Sequence, residues 1–315
     1  MKGLIVSTVC LMSVWGAEVA THGELGLDAA VSRLLSYGII CEESDDESDD
    51  SVEILHHYKK YVNGDEGINE FPYCLRLIEA GGEENLLPVS CLRPFIEAGA
   101  TVQGERGDTS PLQAAAEAGN VKVLCYLLDK GADIHYTDAV MKTAMDYALM
   151  NDLTPERCEV VRELLRRHAL PTPAAMCYVA RYHTELLRDM VAHCGMPAPE
   201  VVNAAVWNAD SLELLLQLGV NPCASADNGT TLSRALLQRI STGKWQVEEL
   251  VRLVDLLMLY KVPFYTACPR EELELMLPED MPVEIREHLL TLYTTRPEPS
   301  FPETDESDVE EIGDE

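Results

Sequence analysis

The 315-residue chain is short of aromatics, of positive charge and of long apolar runs. Phe, Trp and Tyr together make only 6% of it, against 47% hydrophobic residues overall, which suits a core of Leu, Val and Ala between closely packed helices. Lys and Arg number 24 against 54 Asp and Glu, a net charge of −30 that disfavours nucleic acid and anionic membranes as partners and steers basic ones. One apolar run, Leu4 to Trp15, is prominent, and nothing else approaches the ~18 residues of a membrane-spanning helix. Catalytic signatures are missing as well. There is no Gly-rich phosphate loop, no G-x-S-x-G, no H-E-x-x-H and no C-x-x-C pair. Paired carboxylates are everywhere in so acidic a chain, so they carry no information about acid–base chemistry. No catalytic residue, cofactor or metal is therefore expected.

What is present is a repeat. In residues 108–135, DTSPLQAAAEAGNVKVLCYLLDKGADIH, Ser110 stands as the N-cap of a helix and Pro111 at its first position, where a missing N–H costs nothing. Ala115, Ala116 and Ala118 keep that helix thin, and Gly119-Asn120 ends it in a left-handed turn. Val121, Leu124, Leu127 and Leu128 then form an apolar stripe at helical period, closed by Gly131. Residues 138–169 repeat the plan, with Thr143, Ala144, Met145, Asp146 and Ala148 in the same roles and Met145 lying 33 residues after Leu112. An apolar pair three and four residues before a helix-ending residue recurs as Leu34/Leu35 before Gly38, Phe95/Ile96 before Gly99, Leu164/Leu165 before His168, Val191/Ala192 before Gly195, Leu215/Leu216 before Gly219 and Leu257/Met258 before Lys261. First-helix anchors fall at Leu75, Leu112, Met145, Met176, Val202 and Leu232, with spacings of 37, 33, 31, 26 and 30 residues.

The unit resembles the ankyrin repeat, whose pattern runs roughly G-x-T-P-L-H-x-A-A-x-x-G, V-x-x-L-L, G-A-D-hydrophobic-N. Ser110, Pro111, Leu112, Ala115, Ala116, Gly119, Leu127, Leu128, Gly131, Ala132, Asp133 and Ile134 match it. Asp108, Gln113 and His135 depart from it, and Gln113 and Asp146 can still hydrogen-bond toward adjoining repeats. The resemblance is strongest over 108–169 and weaker over about 27–262. It implies an all-α ankyrin-type solenoid of stacked helix-turn-helix repeats with short hairpin loops, about six or seven of them. It also implies binding of another macromolecule through hairpin tips and the concave face of the first helices. The tips map to Gln103–Asp108, His135–Lys142 and Ala224–Thr230. The partner-binding candidates are thus Gln103, Glu105, His135, Tyr136, Asp138, Lys142, Asp227 and Asn228, with Tyr136 foremost as an exposed aromatic at a tip. Trp207 and Trp245 are either further anchors or core residues.

Flanking the array, residues 1–16 read as a secretory signal: Lys2, the apolar run, and small Gly16 and Ala17 at a cut site, with Val14 a poor residue before it. The alternative is a first repeat helix. The array proper is expected over 17–296, interrupted by an acidic loop insertion at 42–66, because EESDDESDD at 42–50 carries seven acids. The segment 297–315, with nine acids, is expected to be a disordered tail. Ser44 and Ser48 suit an acid-directed kinase, and Asn228-Gly229-Thr230 spells a glycosylation sequon common by chance. The ten cysteines read mainly as buried small hydrophobes, since Cys125 and Cys158 occupy different helix positions despite their 33-residue separation. Cys177, His183, His193 and Cys194 fit no common zinc spacing, and His56-His57 beside Lys59 and Lys60 reads as a solvated helix face. The expected function is non-enzymatic protein–protein interaction by an exported, periplasmic or secreted protein with a basic partner. A cytoplasmic structural scaffold and an enzyme with its site hidden in 170–296 are the alternatives.

Overall fold

A computed structural model of the chain describes residues 26–40, 50–82, 86–104, 107–150, 152–222, 231–242, 246–260 and 281–293, with single positions at 224, 226, 262, 274 and 277. Among the described residues there are fifteen α-helices and no strand. Two compact units divide at Thr172 and Pro173.

The first unit holds α1 (Leu27–Ser36), α2 (Asp50–Asn63), α3 (Tyr73–Gly81), α4 (Val89–Glu97), α5 (Pro111–Glu117), α6 (Val121–Asp129), α7 (Ala144–Ala148) and α8 (Pro155–Arg166). Helices α2, α3, α5 and α7 pack side by side as an inner row, and α1, α4, α6 and α8 as an outer row. The second unit repeats the scheme. Its inner row is α9 (Pro173–Tyr182), α11 (Pro199–Ala204) with a 3-10 turn at Ala205–Trp207, and α13 (Leu232–Ser241). Its outer row is α10 (Thr184–Cys194), α12 (Ala209–Gln217) and α14 (Val247–Leu259), against which α15 (Val283–Tyr293) lies. Every first-helix anchor falls on an inner helix and every apolar pair on an outer one. From α3 to α14 that makes six helix pairs, within the expected number.

The turn after the outer helices explains the recurring pair. The carbonyl of its first member accepts the N–H five residues on in six of them: Leu34 from Ile39, Phe95 from Ala100, Leu127 from Ala132, Leu164 from Ala169, Leu215 from Val220 and Leu257 from Val262, at 2.8–3.1 Å. This is the helix-closing bond of a chain that turns left-handed, and Gly38, Gly99, Gly131 and Gly219 accordingly have φ of 68–108°. His168 stands in the same place at φ 65°, the cost of a left-handed non-glycine residue being borne because the rest of the turn is unchanged.

Inner helices are short because both ends are specified. Ser110 and Gln113 form a reciprocal capping box, Ser110 Oγ accepting from Gln113 N (3.2 Å) and Gln113 Oε1 from Ser110 N (2.7 Å). Thr143 and Asp146 form the same box on α7. Both box residues also reach the next layer. Gln113 Nε2 donates to the Lys142 carbonyl (2.7 Å), and Thr172 Oγ1 donates to Asp146 Oδ1 (2.5 Å). Ala114, Ala115 and Ala116 are buried between α3 and α7, where a larger side chain would hold the inner row apart.

The insertion expected as a loop over 42–66 is half helix. Residues 42–49 lie outside the described residues, but from Asp50 the chain forms α2, with Ile54, Leu55 and Tyr58 buried on one face against α3. The acidic composition masked a helical apolar period that begins four residues beyond it. Tyr58 Oη donates to Asp28 Oδ1 of α1 (2.5 Å), and burial first, then this carboxylate, raises its phenol above the ordinary tyrosine range. His57 is likewise no solvated residue: it stacks on Phe71 at 4.1 Å and contacts Glu66 at 2.7 Å. Residues 1–16 and 297–315 lie outside the described residues.

Candidate functional site: the inner groove and hairpin tips of the first unit

Between α3, α5 and the hairpin 101–109 lies a groove of about 420 Å³, lined by Pro72, Leu75, Arg76, Glu79, Thr101, Gln103, Gly104, Asp108, Thr109 and Pro111. Its floor follows from the capped inner helices, which present Leu75 and Pro111 to the same side. Its lining carries two exposed acids, Glu79 and Asp108, and Arg76 already pairs with Glu79 at 3.3 Å.

In the first two tips, several residues expected to meet a partner are instead hydrogen-bonded within the fold. Gln103 clamps one tip to the next, its Nε2 donating to the Gly131 carbonyl (2.7 Å) and its Oε1 accepting from Asp133 N (3.1 Å). Tyr136 is half-buried rather than projecting. Its hydroxyl donates to the Asp108 carbonyl (2.8 Å), and its ring lies so close over Gly104 that a Cβ there would come within 2.8 Å of Tyr136 Cζ. Asp138 is buried and fully engaged: Oδ1 accepts from Val140 N and Lys142 N, both at 2.9 Å, and Oδ2 from Tyr147 Oη at 2.8 Å. Burial would raise its pKa, but those amide and phenol donors outweigh it and hold the carboxyl below its usual range. Lys142 gives its carbonyl to Gln113 and its Nζ to Met150 Sδ (3.4 Å). Of the described candidates, Gln103 and His135 are exposed. Glu105, Asp227 and Asn228 lie outside the described residues, as does Trp245.

What the second tip offers instead is Val140 and Met141, 68% and 72% exposed. Met141 is held at φ 61°, a conformation costing a non-glycine residue about 1–2 kcal/mol, by the Asp138 bonds on both sides of it. The sequence signal for this was available, an Asp four residues before the helix-opening Lys-Thr, but it reads as composition until the turn is seen.

The Ankyrin repeat family model matches residues 108–139. An ankyrin repeat lies there, within an all-α, ankyrin-like array. Curated relatives include human ankyrin repeat and SOCS box protein 11, 33% identical over 89 residues, 28% of this chain and 26% of that protein. The bovine ankyrin repeat and SOCS box protein 5 is 33% identical over 91 residues, 29% and 25% of the two chains, and human ankyrin repeat and SOCS box protein 9 is 28% identical over 88 residues, 28% of each. The chain thus spans about a quarter of the length of the curated relatives it matches. Among solved structures, a predatory endopeptidase of Bdellovibrio bacteriovorus in complex with its immunity protein contains a chain matched at TM-score 0.41 and 16% identity, over 55% of this chain and 91% of that one.

Elsewhere the chemistry is sparse. No group of three or more His, Cys, Asp or Glu side chains able to hold a metal occurs among the described residues. His193 Nδ1 meets the Asp189 carbonyl of its own helix (2.8 Å), and His183 packs by Tyr178 and Tyr182. Six described cysteines carry free thiols, and burial pushes that of Cys74 up to about 12, far from a reactive thiolate. Within 170–296, an open cleft of about 340 Å³ is lined by Thr184, Glu185, Arg188, Asp210, Glu213, Leu214 and Gln217, on the outer row. Described helices include none long and apolar enough to cross a membrane.

Proposed function

We infer that the chain is a non-enzymatic interaction module that holds a basic segment of a protein partner in the inner groove of its first unit. The observation that carries this is the groove itself: an apolar floor of Leu75, Pro72 and Pro111 beside the exposed acids Glu79 and Asp108. A partner's Lys or Arg would stretch its aliphatic stem along the floor and place its charge by these acids. Val140 and Met141 add an apolar contact at the neighbouring tip, presented without further ordering because Asp138 has fixed the loop. Ankyrin repeats are interaction surfaces in general, which supports the same reading.

Capture from native extract with the intact chain, beside a Glu79→Lys/Asp108→Lys variant, tests it. Partner recovery should fall roughly tenfold in the variant, since like charges facing each other across an interface cost well over 1 kcal/mol. Equal recovery by both proteins would place the binding surface elsewhere.

A second reading concerns location. Residues 1–16 spell an export signal, whereas six free thiols among the described cysteines support a reducing compartment with those residues retained. The mass of the mature N-terminus reads the answer directly. A chain beginning at Ala17 removes the reducing-compartment reading, and one still carrying residues 1–16 removes export by cleavage.

A further inference from the structure

The outer row of the first unit carries charge of the sign that the chain as a whole lacks. Arg33 on α1, Arg93 on α4, and Lys122 and Lys130 on or beside α6 are all exposed, and none has a carboxylate partner among the described residues. That is unusual here. On the neighbouring α8, Arg166 and Arg167 are tied to Glu159, Glu163 and Asp129, and Arg162 to Glu159.

The four cations lie on or beside three helices that pack in succession, α1 on α4 and α4 on α6. Arg33 is close enough to Cys91 of α4 to lower its thiol pKa in part, against the larger upward push of burial. Arg93 and Lys130 approach the ring of Tyr126 on α6, at 5.7 and 5.5 Å from its centre. Lys122 lies one turn before Tyr126 on the same face. Two cations gathered over one ring call for the same complement, an anionic oxygen. Glu97 is exposed at the end of α4, and Asp129 is held by Arg167, so neither supplies it.

We propose that this outer stripe docks an extended acidic peptide segment of a protein partner, separately from the inner groove. Packed helices lie about 8–10 Å apart, and a polyproline-II segment advances about 3.1 Å per residue with about three residues per turn, so every third residue points to one side and meets a new helix. Carboxylates at that spacing would face Arg33, Arg93 and Lys130 in turn. The basic stripe and the acids of the groove then give one unit two partner surfaces of opposite sign.

The test uses the full chain and a fluorescein-labelled synthetic peptide with Glu at every third position among Ala and Gly, followed by anisotropy at low salt. A control isomer carries the same Glu residues in one block. The spaced peptide should bind more tightly than the block isomer. Arg93→Glu/Lys130→Glu, whose changes are on exposed side chains and whose far-UV circular dichroism should match the parent, should bind it roughly tenfold less well. Equal binding of the two isomers, equal binding by the variant, or no binding by the parent overturns the proposal. A chain that binds only after the acids at 42–49 are replaced by Ser and Gly also overturns it, by assigning the stripe to the chain's own segment.

Discussion

Leu127→Ala is expected to destabilise the first unit by about 3–4 kcal/mol, while Leu128→Ala beside it costs about 1 kcal/mol or less. The two residues look alike in sequence, an apolar pair before a glycine. In the structure Leu127 is 0% exposed, on a helix packed against α5, α4 and α8, whereas Leu128 is half-buried. Truncating Leu127 removes three heavy atoms from a place where no neighbour can follow, so a cavity remains and its cost adds to the lost transfer energy. The leucine also sits where the backbone turns: its carbonyl accepts from both Lys130 N and Ala132 N at 3.1 and 3.0 Å. Its loss loosens the end of α6 and the start of the tip carrying Asp133. Urea unfolding followed by circular dichroism measures both variants. Equal losses would mean that the pair does not divide into an inward and an outward member, and the stacking account of this unit would fail.

The same division holds in Leu34/Leu35, Phe95/Ile96 and Leu257/Met258, whereas both members are buried in Leu164/Leu165 and Leu215/Leu216. Leu34, Phe95, Leu164 and Leu215 are 0% exposed, like Leu127. The pair was therefore a sound guide to the outer helices, because a helix pressed on one side must repeat its apolar residues at the helical period and must then turn sharply. Inner helices were legible through their caps and alanines, for Ser-Pro-Leu and Thr-Ala-Met specify where a helix starts more strongly than they specify anything else. α2 was not legible in the same way. Its apolar residues Ile54, Leu55 and Tyr58 follow an acidic run that dominates composition, and it fills an inner-row place after α1 instead of before an outer helix.

The tips were legible as places and not as contacts. Register located Gln103, Tyr136 and Asp138 in hairpins, but hydrogen bonds 28 to 30 residues long in sequence, such as Gln103 to Gly131 and Tyr136 to Asp108, determine which side chains face inward. Those partners belong to a different repeat, so no local pattern announces them. The exposed Val140–Met141 pair is the other side of the same fact. Once Asp138 turns in to satisfy the loop's amides, the residues between its partners are pushed out.

Arg239→Ala should cost the second unit about 3 kcal/mol, and Arg239→Met about half of that. Arg239 is 3% exposed on α13, and it joins three elements at once. One guanidinium nitrogen donates to the Val206 carbonyl at the 3-10 turn and the other to Glu249 in the first turn of α14, at 2.5 Å for the latter. The group also lies over Trp207, 5.3 Å from the ring centre, which makes that tryptophan a half-buried packing partner and not a free anchor. Glu249 is 35% exposed and can turn to water when the arginine is gone, so the ion pair itself contributes little to the loss. The larger part comes from the Val206 carbonyl, left without its donor in the interior, and from the space vacated beside Trp207. Methionine refills that space and leaves the carbonyl unsatisfied, which is why it should recover only part of the stability. Lysine keeps the charge but cannot reach both acceptors with one nitrogen in the fixed fork of a guanidinium. Thermal unfolding of the three variants orders these contributions. If Met is as damaging as Ala, packing against Trp207 is irrelevant; if Lys matches the parent, the two-acceptor clamp is not what joins α13 to its neighbours.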